Sequence, residues 1–165
     1  MITPDVIAYT DGGCRGNPGP GAWAFLLIDP TTGKALERTG GERQTTNNRM
    51  ELLAVIEALR ALRGPRKRVR LMSDSQYVIN SATKWMAGWK AKGWKRKEGE
   101  LKNVDLLQQL DQLVVLHDIE WRWVRVHDGE PGNERVDALT NHGMDRIARG
   151  ENAAWESRTE WTGRV

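Results

Sequence analysis

Apolar residues in this chain recur with two periods, and the changes between them mark out the elements. "VIAYT" (6–10), "AWAFLLI" (22–28) and "ALERT" (35–39) predict three strands, the last two joined through the hairpin-like turn "DPTTGK". Between the first two, Gly12, Gly13, Gly16, Pro18, Gly19, Pro20 and Gly21 predict an irregular loop. Thr46 reads as the N-cap of a helix over "NRMELLAVIEALRALR", which Gly64-Pro65 ends. "VRLMSD" predicts a short strand, followed by helices from about Ser75 to Ser81 and about Lys84 to Ala91. Apolar positions at 104, 107, 110, 113 and 114 give an amphipathic helix. "IEWRWVRV" is β-rich, and a last helix covers roughly Asn133–Ala148. This order calls for an α/β domain, an antiparallel meander extended by parallel strands with helices on the faces. A single domain over residues 1–149 is expected. Residues 150–165 show no clear period and read as a tail, partly disordered unless Trp155 or Trp161 docks.

Composition narrows the class without naming it. The 165 residues, 39% hydrophobic and 28% charged, suit one globular domain with a real core. No apolar run reaches transmembrane length, and Met1–Asp5 is not a signal peptide. A lone cysteine, Cys14, excludes an internal disulfide framework and suits a reducing cytoplasm, and three scattered histidines make no zinc motif. No Gly-Lys-Ser/Thr follows the glycines, which excludes a P-loop NTPase. Net charge is only +3, but "RGPRKRVR" (63–70) and "KWMAGWKAKGWKRK" (84–97) concentrate the bases. A local basic field of this kind favours a polyanionic partner.

Four carboxylates break the patterns around them. Leu52, Val55, Ile56, Leu59 and Leu62 form the buried stripe of the long helix, and Glu51 lies inside that stripe. A carboxylate on the core side is costly unless something pairs with it; capping its own helix is the ordinary solution. Asp11 and Asp74 stand at the carboxyl ends of "VIAYT" and "VRLMS", where a turn-forming Asp or an N-cap would also be ordinary. Asp137 borders the apolar stripe of the last helix, Val136, Leu139, Thr140 and Ile147. Taken together the four point elsewhere. Open α/β sheets gather ligands outside the carboxyl ends of their strands, and carboxylates crowded there stay ionised only if cations neutralise them. Hard oxygen donors without Cys point to Mg²⁺, with Mn²⁺ also suitable. Two such ions about 4 Å apart form a recurrent device for phosphodiester cleavage.

The stretches "TDGGCRGNPGPGAWA", "TTNNRMELLAVIEAL", "SDSQYV", "WMAGWKAKGWK…KNVDL" and "H…NERVD", in this order, resemble bacterial type I ribonuclease H from about Val6 to Ala148. The resemblance implies a ribonuclease H-like fold with a mixed five-stranded sheet, strand 2 antiparallel, flanked by helices. It implies hydrolysis of RNA paired to DNA with two divalent ions, on Asp11, Glu51, Asp74 and Asp137. It also implies that His127 assists water activation or product release, which suits an imidazole titrating near neutrality. Here Val126 and Asp128 depart from the common Gly-His-Ala-Gly pattern, and Asp128 adds a charge beside the imidazole.

The same resemblance implies that Cys14 (through its main chain), Asn17, Asn48, Gln76 and Glu51 read the RNA strand, where the 2′-hydroxyl is the distinguishing group. It places Thr46 and Asn47 at the DNA strand, with Gln44 standing where the family commonly has a base. Lys84 to Asn103 resembles the family's basic protrusion. Trp85 is the candidate for packing on deoxyribose, with Lys90, Lys92, Lys95, Arg96 and Lys97 at phosphates. A monomer with no obligate protein partner is expected. The rival readings are a metal-free, catalytically weak hybrid or single-strand binder and a different nuclease, integrase or resolvase on the same fold. The first leaves the carboxylates unexplained; the second does not share the Asn-Asn-Arg segment or the protrusion.

Overall fold

A computed structural model describes residues 3–95, 99–125 and 129–165. Its sheet comprises β1 (Val6–Cys14), β2 (Gly19–Ile28), β3 (Lys34–Thr45), β4 (Arg68–Ser73), β5 (Asp118–Trp123) and β6 (Trp155–Glu160). The helices are α1 (Asn47–Ala61), α2 (Gln76–Asn80), α3 (Met86–Ala91), α4 (Val104–Val114) and α5 (Pro131–Ala148), with a π-helical segment over Ser81–Trp85 that links α2 to α3. The strand order is β5-β4-β1-β2-β3-β6. The β1–β2, β2–β3 and β3–β6 pairs are antiparallel, while β4 runs parallel to both β1 and β5.

Alternation along β1 explains the layers. Val6 and Ala8 join Phe25, Leu27 and Val69 in a core covered by Leu52, Val55, Ile56 and Leu59 of α1 and by Leu106, Leu107 and Leu110 of α4. Ile7 and Tyr9 point to the other face, where Leu26, Ile28 and Met72 meet Val136 and Leu139 of α5. Both faces of the central strands are dry, which is why they read as near-continuous apolar runs.

Two expectations need correction. The glycine-rich stretch does not interrupt the sheet: β1 continues to Cys14, which pairs with Gly21, and β2 begins at Gly19. Small residues there let other segments approach closely without preventing ladder hydrogen bonds. The sheet also has six strands rather than five. Trp155–Glu160 pairs antiparallel with β3, from Thr39–Trp155 to Lys34–Glu160. Trp155 and Trp161 pack against the second core, and Arg38 grips Glu156 through Nε and Nη2.

Candidate active site

Strand register sets the first two carboxylates side by side. Parallel pairing of β1 with β4 ends at Thr10–Ser73, and Asp11 and Asp74 are the next residue on each strand path. Asp11 still pairs with Ala24 of β2, so it is held within the sheet, and it is only 9% exposed. Asp74 is fastened from the far side: the Trp123 indole Nε1–H of β5 donates to its carbonyl at 3.1 Å.

Glu51 arrives from the α1 face through a gap that only glycine leaves. A Cβ on Gly12 would stand 2.4 Å from the Met50 carbonyl carbon and 2.5 Å from the Glu51 nitrogen. The backbone of α1 therefore rests directly on β1, one residue beyond Asp11. Thr46 caps α1 as the sequence predicts, its Oγ1 accepting from Arg49 N at 3.3 Å. Glu51 does not cap its own helix. Its Oε2 accepts from the Ser75 hydroxyl at 2.5 Å, and Ser75, rather than Asp74, is the N-cap of α2.

Asp137 comes from the opposite face, on the second turn of α5. That helix follows β1, with Gly132 against the Tyr9 ring and Met144 near Gly13. Asn141 Nδ2 donates to the Asp137 carbonyl at 2.9 Å and lies 3.5 Å from its Oδ2.

The electrostatics record how closely the four gather. Burial pushes the Asp11 carboxyl up to about 8, with Asp74, Asp137 and Glu51 adding repulsion and the Thr140 hydroxyl opposing it. Burial likewise raises Glu51 to about 7; the Ser75 hydrogen bond opposes this and Asp74 adds to it. Among the described residues no three of His, Cys, Asp and Glu stand close enough together to hold an ion as placed. The fit to a divalent cation rests on donor chemistry instead: the charges that bear on Asp11 are those of three other carboxylates, hard oxygen donors whose repulsion a cation would relieve. His127 lies outside the described residues.

The predicted substrate residues divide into two groups. Cys14, Asn17 and Asn47 form one network: Cys14 N donates to Asn47 Oδ1 at 2.7 Å, and Asn47 N to Asn17 Oδ1 at 3.1 Å. This ties the glycine-rich loop to the start of α1. Asn17, Thr46 and Asn48 then line a cavity of about 590 Å³ whose far wall is Trp85 and Trp89. Those two indoles lie 5.8 Å apart at 49°, and Trp85 is 41% exposed. Gln76 is exposed at the first turn of α2, and Lys92 and Lys95 are exposed beyond α3. Lys90 instead bridges to Asp111 of α4 at 2.9 Å. Arg96 and Lys97 lie outside the described residues. Tyr77, Leu101, Lys102 and Asn103 complete the cavity wall and are not among the sequence candidates. "KNVDL" was the available signal, since Asn103 takes a left-handed conformation with φ of 60° and its Nδ2 lies 3.4 Å from the Tyr77 hydroxyl.

A mixed sheet of this order, with Asp11 and Asp74 at neighbouring strand ends and Glu51 and Asp137 on helices that cover its two faces, defines a ribonuclease H-like α/β protein. The RNase H family profile matches residues 3–145. The ribonuclease H of Bordetella pertussis is 55% identical over 143 residues, 86% of this chain and 90% of that protein. That of Polaromonas naphthalenivorans is 57% identical over 144 residues, 86% of this chain and 88% of that one. Among solved structures, LC9-RNase H1, described as a type 1 RNase H with the type 2 active-site motif, superposes with a TM-score of 0.81 at 35% identity. The match covers 98% of this chain and 80% of that one. The chain belongs to the RNase H family and is a ribonuclease H enzyme.

Proposed function

We propose that the protein hydrolyses the RNA strand of RNA/DNA hybrids at Asp11, Glu51, Asp74 and Asp137, with two Mg²⁺ or Mn²⁺ ions bound. The observation that carries this reading is the strand register that ends at Thr10–Ser73 and sets the buried Asp11 beside Asp74, with the charges of Glu51 and Asp137 bearing on the same carboxyl. Such a cluster is poorly suited to stand alone and well suited to a pair of hard cations. When bound, those ions would activate water and stabilise the leaving oxygen. The chain's own contribution is placement. Register fixes Asp11 beside Asp74, Ser75 orients Glu51, and α5 brings Asp137 from the other face. His127 would handle the proton, and the part of the cavity between Thr46 and Trp85 would receive the DNA strand. The likeness of a foamy viral protease-reverse transcriptase, solved in complex with an RNA/DNA hybrid, concerns fold alone: identity is 18% and the TM-score 0.73. A monomer acting in a reducing cytoplasm completes the proposal; no described helix is long and apolar enough to cross a membrane.

Cleavage of an end-labelled RNA/DNA hybrid with and without Mg²⁺, beside matched RNA and DNA duplexes, tests it. Metal-dependent cutting confined to the RNA of the hybrid is expected. Metal-independent cutting, or cutting of the DNA duplex alone, would overturn it.

A further inference from the structure

Glu130 holds the N-cap position of α5, yet its side chain makes no capping hydrogen bond. It instead accepts from the Tyr9 hydroxyl, Oε1 to Oη at 2.6 Å. Tyr9 is fully buried, and a buried phenol needs a partner, which the half-buried Glu130 supplies. The first turn of α5 presses on the same ring: a Cβ on Gly132 would stand 2.3 Å from the Tyr9 Cε2 and Cζ. The C-terminal segment closes the arrangement. Arg164 Nη2 donates to the Gly129 carbonyl at 2.9 Å, on the residue that precedes Glu130.

These contacts connect the two elements that meet at the carboxylate cluster. Tyr9 and Asp11 lie on one face of β1, while Glu130 opens the helix whose second turn carries Asp137. We propose that Tyr9 and Glu130 are positioning residues, a polar clamp that sets α5 against β1 so that Asp137 and Asp11 face one cation, with Arg164 bracing the clamp from the C-terminus. The proposal rests on the metal-dependent reading of the site given above. Further along, α5 is held to the sheet by the packing of Val136 and Leu139 and by Arg135, whose guanidinium donates to both carboxylate oxygens of Glu37 on β3. The Tyr9–Glu130 hydrogen bond is the tie at the start of α5, made to the strand that carries Asp11.

The test compares Tyr9→Phe, Glu130→Ala, Glu130→Gln and Arg164→Ala. For each, Mg²⁺ binding is measured by calorimetry without hybrid, beside kcat, KM and thermal unfolding. Tyr9→Phe removes one oxygen and keeps the ring, so the fold is retained. Neither side chain bonds to a carboxylate of the cluster, so Tyr9→Phe and Glu130→Ala should weaken Mg²⁺ binding through the placement of α5, by less than the roughly 10-fold that follows loss of a group bonded directly to a ligand. The hybrid KM at saturating Mg²⁺ should stay unchanged. Glu130→Gln keeps an acceptor oxygen and should restore most of the affinity, and Arg164→Ala should fall between. Unchanged Mg²⁺ affinity in Tyr9→Phe, including the case where only the unfolding temperature falls, would overturn the clamp. A wild-type protein that neither binds Mg²⁺ nor needs it would remove both the clamp and the site reading beneath it. A normal wild-type response with an unaffected Tyr9→Phe removes the clamp alone.

Discussion

The Ser75 hydroxyl donates to Glu51 Oε2 at 2.5 Å, while Ser75 Oγ itself accepts from Val78 N at 3.1 Å. One side chain thus starts α2 and orients a carboxylate of another helix. Ser75→Ala should cost about 1 kcal/mol through the lost cap. It should also raise the Glu51 pKa further, because the hydrogen bond opposes burial there. Protons would then compete better with a cation, so more Mg²⁺ would be needed for half-maximal activity. Ser75→Thr should retain most of both functions. Chemical denaturation and a Mg²⁺ titration measure the two effects, and an unmoved denaturation midpoint would remove the capping role.

Gly12→Ala tests the close approach of α1. The added Cβ would meet backbone rather than a flexible side-chain end, 2.4 Å from the Met50 carbonyl carbon. Helix and strand must then part, costing about 2–3 kcal/mol. Activity should fall far more than stability predicts, since Glu51 leads the displacement. A stable, fully active Gly12→Ala enzyme would contradict this geometry.

Asp11 and Glu51 were legible in the sequence because each violates its surroundings, a carboxylate ending an apolar strand and another within a buried stripe. The central strands and long helices were legible for the converse reason: their periods are uninterrupted. Strand β6 was not. Of its six residues only Trp155 is a large apolar side chain, and an edge strand is held mainly by backbone pairing with β3, which leaves no period to read. The Ser81–Trp85 π-helical link between α2 and α3 was equally invisible, because widening one turn changes hydrogen bonding without changing composition. The Tyr9–Glu130 contact joins residues 121 positions apart, and no local pattern announces such a pair.

Asp11→Asn should abolish hybrid cleavage and leave hybrid binding largely intact. The metal-free variant should also be at least as stable as wild type. Burial and the neighbouring carboxylates push folded Asp11 up to about 8 from its ordinary 3.8, so the folded state holds a proton that the unfolded chain releases. Its stabilising contribution is full below the unfolded value and disappears as pH rises through the folded one. Asn has no such loss. The advantage of the variant, measured by denaturation in EDTA, should therefore grow from about pH 4 to about pH 8. Wild-type-like turnover would remove Asp11 from the catalytic set.

His127→Ala should lower turnover by roughly one to two decades without abolishing it. The carboxylate cluster would remain intact, so the imidazole assists a step that proceeds without it. Single-turnover rates in saturating Mg²⁺ provide the measurement. Complete loss, matching Asp11→Asn, would reverse the ranking of carboxylates over histidine.

The basic protrusion separates binding from chemistry, and the structure ranks its lysines. Lys92 and Lys95 are exposed, whereas Lys90 is already paired with Asp111. Replacing Lys92 and Lys95 with Gln should raise KM and leave kcat within a few-fold, because uniform binding is lost and transition-state stabilisation is not. Each phosphate contact removed should flatten the slope of log affinity against log salt by roughly 0.9, on the scale set by B-DNA. Lys90→Gln should flatten it less, since its charge is partly neutralised before the hybrid arrives. Trp85→Ala, which opens the cavity wall facing Asn48, should weaken hybrid binding with almost no change of slope, because an aromatic ring releases no counterions. Steady-state kinetics at several salt concentrations distinguish these cases. A collapse of kcat at saturating hybrid in the double lysine variant would show that the segment serves chemistry rather than grip, and an unchanged KM would show that it does not hold the substrate at all.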